Sequence, residues 1–165
     1  LQFLTPYEEL AANSRRRRAW FMDEEHIFQR HAEFMNDLVL ADGLAGIGSH
    51  GQLQGLGYHW ELWSVASGGM SNHDALRVAT LLGAEAIGLD GDLGSLEVGK
   101  LADIAILSRN PLENIRNTNS VSHVMINGKL YLAENLDEIW PNNNKTDSYN
   151  WQTVAPTSVP GLDQD

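Results

Sequence analysis

Gly94-Ser95-Leu96-Glu97-Val98-Gly99-Lys100-Leu101-Ala102-Asp103-Ile104-Ala105-Ile106-Leu107 is the stretch on which the fold turns. Gly94 and Gly99 permit tight turns. Lys100 and Asp103 mark a solvent edge, and the apolar run ending at Leu107 enters a sheet as a short strand. Downstream, Asn110-Pro111 sets a capping residue before a proline at the first helical position, which predicts a short helix ending near Arg116. Val121 to Ile126, Asn127-Gly128 and Lys129 to Leu132 predict a β-hairpin, because Asn-Gly supplies the two positive φ angles of a type I′ turn. His123 lies inside the first hairpin strand, at a packing position.

Upstream of this stretch the period changes from strand to helix. Ala75, Leu76, Val78, Ala79 and Leu82 make a buried stripe, with Ser71 three residues before Asp74 as an acidic variant of the capping box. A helix is expected over about 72–87, stopping at Gly88, and another over about 58–67, stopping at Gly68-Gly69. Residues 44–48, apolar and rich in glycine, read as a buried parallel strand that opens into a polar, Gly-rich loop. Before it, residues 7–40 are charged and Pro-free after the first few positions. Ile27, Phe28, His31, Phe34, Met35 and Leu38 recur there at helical intervals and predict one apolar face. His26 and His31 are five apart and do not stack as a metal pair would. Residues 133–165 hold three of the five prolines and read as an extended acidic tail, which Trp140, Tyr149 and Trp151 could anchor.

Composition narrows the chemistry. The 165 residues contain no cysteine, so thiol catalysis, thiolate zinc sites and disulfides are excluded, and any metal must be held by His, Asp or Glu. Eleven Lys and Arg against 22 Asp and Glu give a net charge of −11, which argues against nucleic acid as a partner. The single basic run, Arg15 to Arg18, is closely followed by Asp23, Glu24 and Glu25 and reads as a solvated, charge-compensated helix face. No stretch approaches the roughly 20 apolar residues of a membrane-spanning helix. The N-terminus shows no signal-peptide order, and a start at Leu1 suggests a segment of something longer.

Chemical content concentrates in the loop over 49–61, with His50, Gln52, Gln54, His59 and Glu61. Imidazole binds divalent metals and shuttles protons near neutral pH, and loops at strand ends are where α/β proteins place such groups. His50 is the candidate catalytic and metal-binding residue; Gln52 and His59 are candidates for contacting substrate. Glu61 also suits the first turn of a helix through the helix dipole. Gly46, Gly48 and Gly51 match dinucleotide-binding spacing, but the helix begins too late to aim its N-terminus at a pyrophosphate. Phosphate-loop, zinc-helix and nucleophile-elbow motifs are absent from the sequence.

The stretch from Gly94 to Leu107 resembles the C-terminal signature of the metal-dependent amidohydrolase superfamily, where the chain leaves the last barrel helix and enters a small β-sandwich. Ala75-Leu76-Arg77-Val78-Ala79-Thr80 with residues 83–89, residues 110–116, and the Val124 to Lys129 hairpin extend the likeness over about 40–132. Residues 51–57 and Asp137-Glu138-Ile139-Trp140-Pro141 are similar to the subgroup often joined to a Tol-type β-propeller.

The resemblance implies an α/β fold: the last βα unit or units of a (β/α)8 TIM barrel over residues 1–90, strands of the adjoining small β-sandwich domain over 91–132, and the tail beyond. A complete barrel takes roughly 250 residues, so this one is expected to be incomplete. It further implies hydrolysis of C–N bonds in amides, cyclic amides or related small molecules, with divalent metal, zinc foremost, in the complete enzyme. His50 stands where the family carries Asp after Gly48-Ser49, and the first-strand His-x-His is missing, so this chain alone is expected to be inactive and to bind no metal tightly. Self-association through an exposed barrel edge, an N-terminal β-propeller and a periplasmic or secreted location also follow from the resemblance. The alternative is a non-catalytic scaffold or interaction domain derived from the same fold.

Overall fold

The computed structural model describes residues 27–50 and 55–147. Among the described residues four helices come first: α1 (Phe28–Leu40), α2 (Leu56–Ala66), α3 (Asn72–Val78) and α4 (Leu81–Ala86). A strand β1 (Ile104–Leu107), a 3-10 turn (Ile115–Asn119), and strands β2 (Val121–Ile126), β3 (Lys129–Leu132) and β4 (Glu138–Trp140) follow.

The helices share one core of Val39, Ala45, Leu62, Trp63, Met70, Ala75, Val78 and Leu82, with Met35, Ile47 and Ile115 packed on it. α1 buries only part of its expected stripe, with Met35 on the core and Leu38 half-buried. Ala32 and Val39 are its buried residues, while Phe34 is 65% exposed and Phe28 and His31 also face outward. The reason is close packing: a Cβ on Gly68 would run into the Ala32 backbone, so small residues rather than aromatics set the contact. The portion of the predicted helix before Ile27, with His26 and the Arg15 to Arg18 run, lies outside the described residues.

Residues 44–48 contribute Ala45 and Ile47 to the core but form no strand. A strand is defined by ladder pairing, and no neighbour among the described residues supplies it, so the expected strand is not formed here. The predicted 72–87 helix is two helices. At Thr80 the backbone leaves the helical region (φ −134°, ψ −94°), and its hydroxyl donates to the Leu76 carbonyl at 2.7 Å, a local bond that competes with helix continuation. Ser71 does cap α3, accepting from the Asp74 amide at 3.0 Å. Helix α2 begins two residues earlier than expected.

Gly94 (φ +91°) packs the linker onto the helices so closely that a Cβ there would sit 2.7 Å from the Ala84 Cβ. Lys100 is not at a solvent edge. Its side chain is 12% exposed, and its Nζ donates to Ser95 Oγ at 2.6 Å and pairs with Glu97 at 3.3 Å, closing the turn from within. Asp103 is exposed and accepts the Asn127 amide at 2.7 Å, fastening β1 to the hairpin tip.

The four strands form one antiparallel sheet in the order β1-β2-β3-β4. The hairpin stands as predicted: Ile126 pairs with Lys129, and Asn127 (φ 47°) and Gly128 (φ 77°) make the turn. Ile104, Met125, Leu130 and Trp140 share one face. No apolar residue of the four strands is fully buried. The expected helix ending near Arg116 is displaced: Asn110 Oδ1 accepts the Leu112 amide to close a turn, and Asn114 Oδ1 accepts the Arg116 amide to cap the 3-10 segment instead.

The tail is ordered at its start, because β4 adds to the sheet. Asp137 accepts from Lys145 Nζ (2.7 Å), the Thr146 amide (2.9 Å) and Asn135 Nδ2 (3.1 Å). Glu138 accepts from Asn144 Nδ2 (2.8 Å) and Asn142 Nδ2 (3.0 Å). These bonds hold both carboxyls below their usual range, the Lys145 contact foremost for Asp137 and the Asn144 contact for Glu138. Tyr149 and Trp151 lie outside the described residues.

Candidate functional site

Core packing of Ala45 and Ile47 brings the segment over 44–48 out at Gly48-Ser49-His50, directly before the loop into α2. His50 is exposed and adopts a left-handed backbone (φ 57°), which turns the chain sharply. Its side chain makes no hydrogen bond or ion pair among the described residues, so the imidazole is available to solvent. Behind it, Glu61 reaches from α2 to accept the Gly48 amide at 3.2 Å.

His59 does not join His50. It is 7% exposed on the opposite part of α2, with Nδ1 3.2 Å from Thr118 Oγ1 in the 3-10 turn. Trp63, one turn along, stacks near it and donates Nε1 to both Thr118 Oγ1 (3.0 Å) and the Ile115 carbonyl (3.1 Å). Thr118 Oγ1 accepts from Trp63 and keeps both its own hydrogen and a second lone pair, so it can serve His59 Nδ1 in either tautomer of the ring. Burial lowers the His59 pKa and keeps the ring neutral. Arg116 lies over the Trp63 ring at 5.0 Å. This cluster bolts the helical part to the sheet part.

Tyr58 completes the fastening, donating its hydroxyl to the Ala79 carbonyl at 2.8 Å; burial first, and then the Glu61 charge, raise its pKa. Gln52 lies outside the described residues. The sequence puts Glu61 among the chemically loaded residues of the loop and on the first turn of a helix but gives no sign of its bond to the Gly48 amide, and nothing in it points to Thr118. No spacing rule connects residues 59 apart.

Among the described residues no three His, Asp or Glu side chains come together as a metal-binding group. His50 offers one exposed imidazole, and a zinc site takes four ligands. These residues alone do not fit a complete metal centre. What the turn can do by itself is present an imidazole that accepts or returns a proton.

Over 40 residues the chain is 55% identical to an imidazolonepropionase of Symbiobacterium thermophilum, covering 24% of this chain and 9% of that protein. It is 32% identical over 89 residues to a 5-methylthioadenosine/S-adenosylhomocysteine deaminase of Teredinibacter turnerae, covering 54% of this chain and 20% of that protein. The structure of a Xaa-Pro dipeptidase with methionine bound in its active site superposes with a TM-score of 0.54 at 27% identity, over 62% of this chain and 25% of that one. The chain thus spans a fifth or less of the length of these two curated relatives. The Amidohydrolase family profile matches residues 22–131, well over half of the sequence, and the chain belongs to that family.

Proposed function

We propose that this chain is the closing part of a barrel amidohydrolase that hydrolyses C–N bonds of small molecules, with His50 at the catalytic mouth. The observation that carries the reading is the Gly48-Ser49-His50 turn. It stands at the end of a core-packed segment, where the resemblance puts the family's eighth-strand carboxylate, and it presents an unengaged, exposed imidazole. Two further features support it. Residues 44–48 pack Ala45 and Ile47 into the core yet pair with no strand among the described residues, and Ile27, Phe34 and Leu40 are exposed apolar side chains of the helical part. A barrel lacking its preceding strands has both properties.

In this reading His50 takes a proton from the attacking water and returns it to the leaving nitrogen, work that imidazole does near neutral pH. The bond cleaved belongs to the range named for the relatives: an imidazolone, an adenosine-type nucleoside or an Xaa-Pro dipeptide. Divalent metal, general to the family, would be held mostly by residues other than those described. A β-propeller and export, implied by the subgroup resemblance, remain part of the same proposal.

The test is a longer polypeptide that carries this chain behind the preceding barrel strands, assayed on those three substrate classes with and without His50→Ala. The expected loss in kcat is about 100-fold or more, the usual contribution of a general acid–base group. Equal kcat in both proteins contradicts the role of His50. Turnover by the present chain alone contradicts the claim that it is a part.

A further inference from the structure

Resting on the reading of His50 as a site residue, we propose that Glu61 is a positioning residue that sets the direction of the His50 turn through the Gly48 amide. Among the described residues, Glu61 is the one side chain that bonds the backbone over 44–50. The turn it holds needs holding: a left-handed histidine costs roughly 1 kcal/mol or more in an unconstrained chain and persists only where surroundings fix it. Neighbouring residues 51–54 lie outside the described structure, so the support seen comes from α2.

α2 is suited to the task because it is fixed on two sides. His59 and Trp63 fasten it to Thr118 and Ile115, and Tyr58 fastens it to the Ala79 carbonyl. Glu61 therefore extends from an immobilised helix, and its Oε1 meets Gly48 two residues before His50. The bond uses the carboxylate as an acceptor. A side-chain amide of the same length offers the same acceptor, so charge and geometry can be separated.

Glu61→Ala and Glu61→Gln make the separation. In the present chain, amide exchange at Gly48 is expected to quicken about tenfold in Glu61→Ala, the scale of one lost hydrogen bond, with Ala75 and Met125 amides unchanged. Glu61→Gln is expected to restore slow exchange. In the longer polypeptide, Glu61→Ala lowers kcat about tenfold or more with KM little changed, and Glu61→Gln recovers it. Unchanged Gly48 exchange in Glu61→Ala, or Glu61→Gln as impaired as Glu61→Ala, overturns the proposal. Should Glu61→Ala lose its fold, Glu61→Gln alone decides: fast Gly48 exchange in it also overturns. Intact kcat in His50→Ala defeats the functional reading instead and leaves the exchange result standing as a separate outcome.

Discussion

One buried hydroxyl serves two side chains where the helical part meets the 3-10 turn. Thr118 Oγ1 accepts from Trp63 and faces His59 Nδ1, and all three residues are buried. Thr118→Val keeps the shape and removes both bonds. Trp63 retains the Ile115 carbonyl, but the buried His59 nitrogen loses its partner, at a cost of about 1–3 kcal/mol. Urea denaturation followed by tryptophan fluorescence reads this as a lower midpoint with an unchanged slope; an unmoved midpoint would contradict the role given to Thr118. Histidines show how far residue-level reading reaches. In a polar loop of the sequence, His50 and His59 look equivalent, yet one emerges at an exposed left-handed turn and the other stacks beside Trp63. The difference depends on a threonine supplied by a distant segment, which local spacing does not encode.

Elements were legible where local chemistry dictates conformation. Asn127-Gly128 fixes its turn and the register of both hairpin strands, and Ser71 caps α3, because each signal acts within four residues. The face of α1 and the state of residues 44–48 were not, since one depends on a close backbone approach at Gly68 and the other on a pairing partner. β4 was hidden too: the acidic and Asn-rich composition around it reads as solvated tail until Asp137 and Glu138 are seen to collect amide and ammonium donors. Those carboxyls make a latch sensitive to acid. Their folded pKa values lie below the unfolded ones, so the stabilisation is complete above the usual carboxylate range near pH 4 and fades as pH falls through it to the depressed values. The Thr146 amide, bonded to Asp137 Oδ1 at 2.9 Å, reports on it. Its NMR shift should move with a midpoint below the ordinary Asp value and lose that transition in Asp137→Asn; a midpoint at or above the ordinary value would refute the latch.

Taken whole, the molecule has a packed helical core and a sheet whose strands bury no apolar residue fully, fastened through the 3-10 turn. The Gly94 to Leu107 stretch carried the family likeness correctly because its glycines and apolar strand are local features. Whether a barrel closes is a property of many strands, which local features do not encode. The proposal that these residues supply the end of a barrel requires the apolar side chains exposed on the helical part to be covered by something else. Sedimentation of the 18.3 kDa chain over a range of micromolar concentrations tests it most directly. Concentration-dependent self-association, abolished when the preceding strands are present in a longer polypeptide, is the predicted result; a compact monomer at every concentration would contradict it.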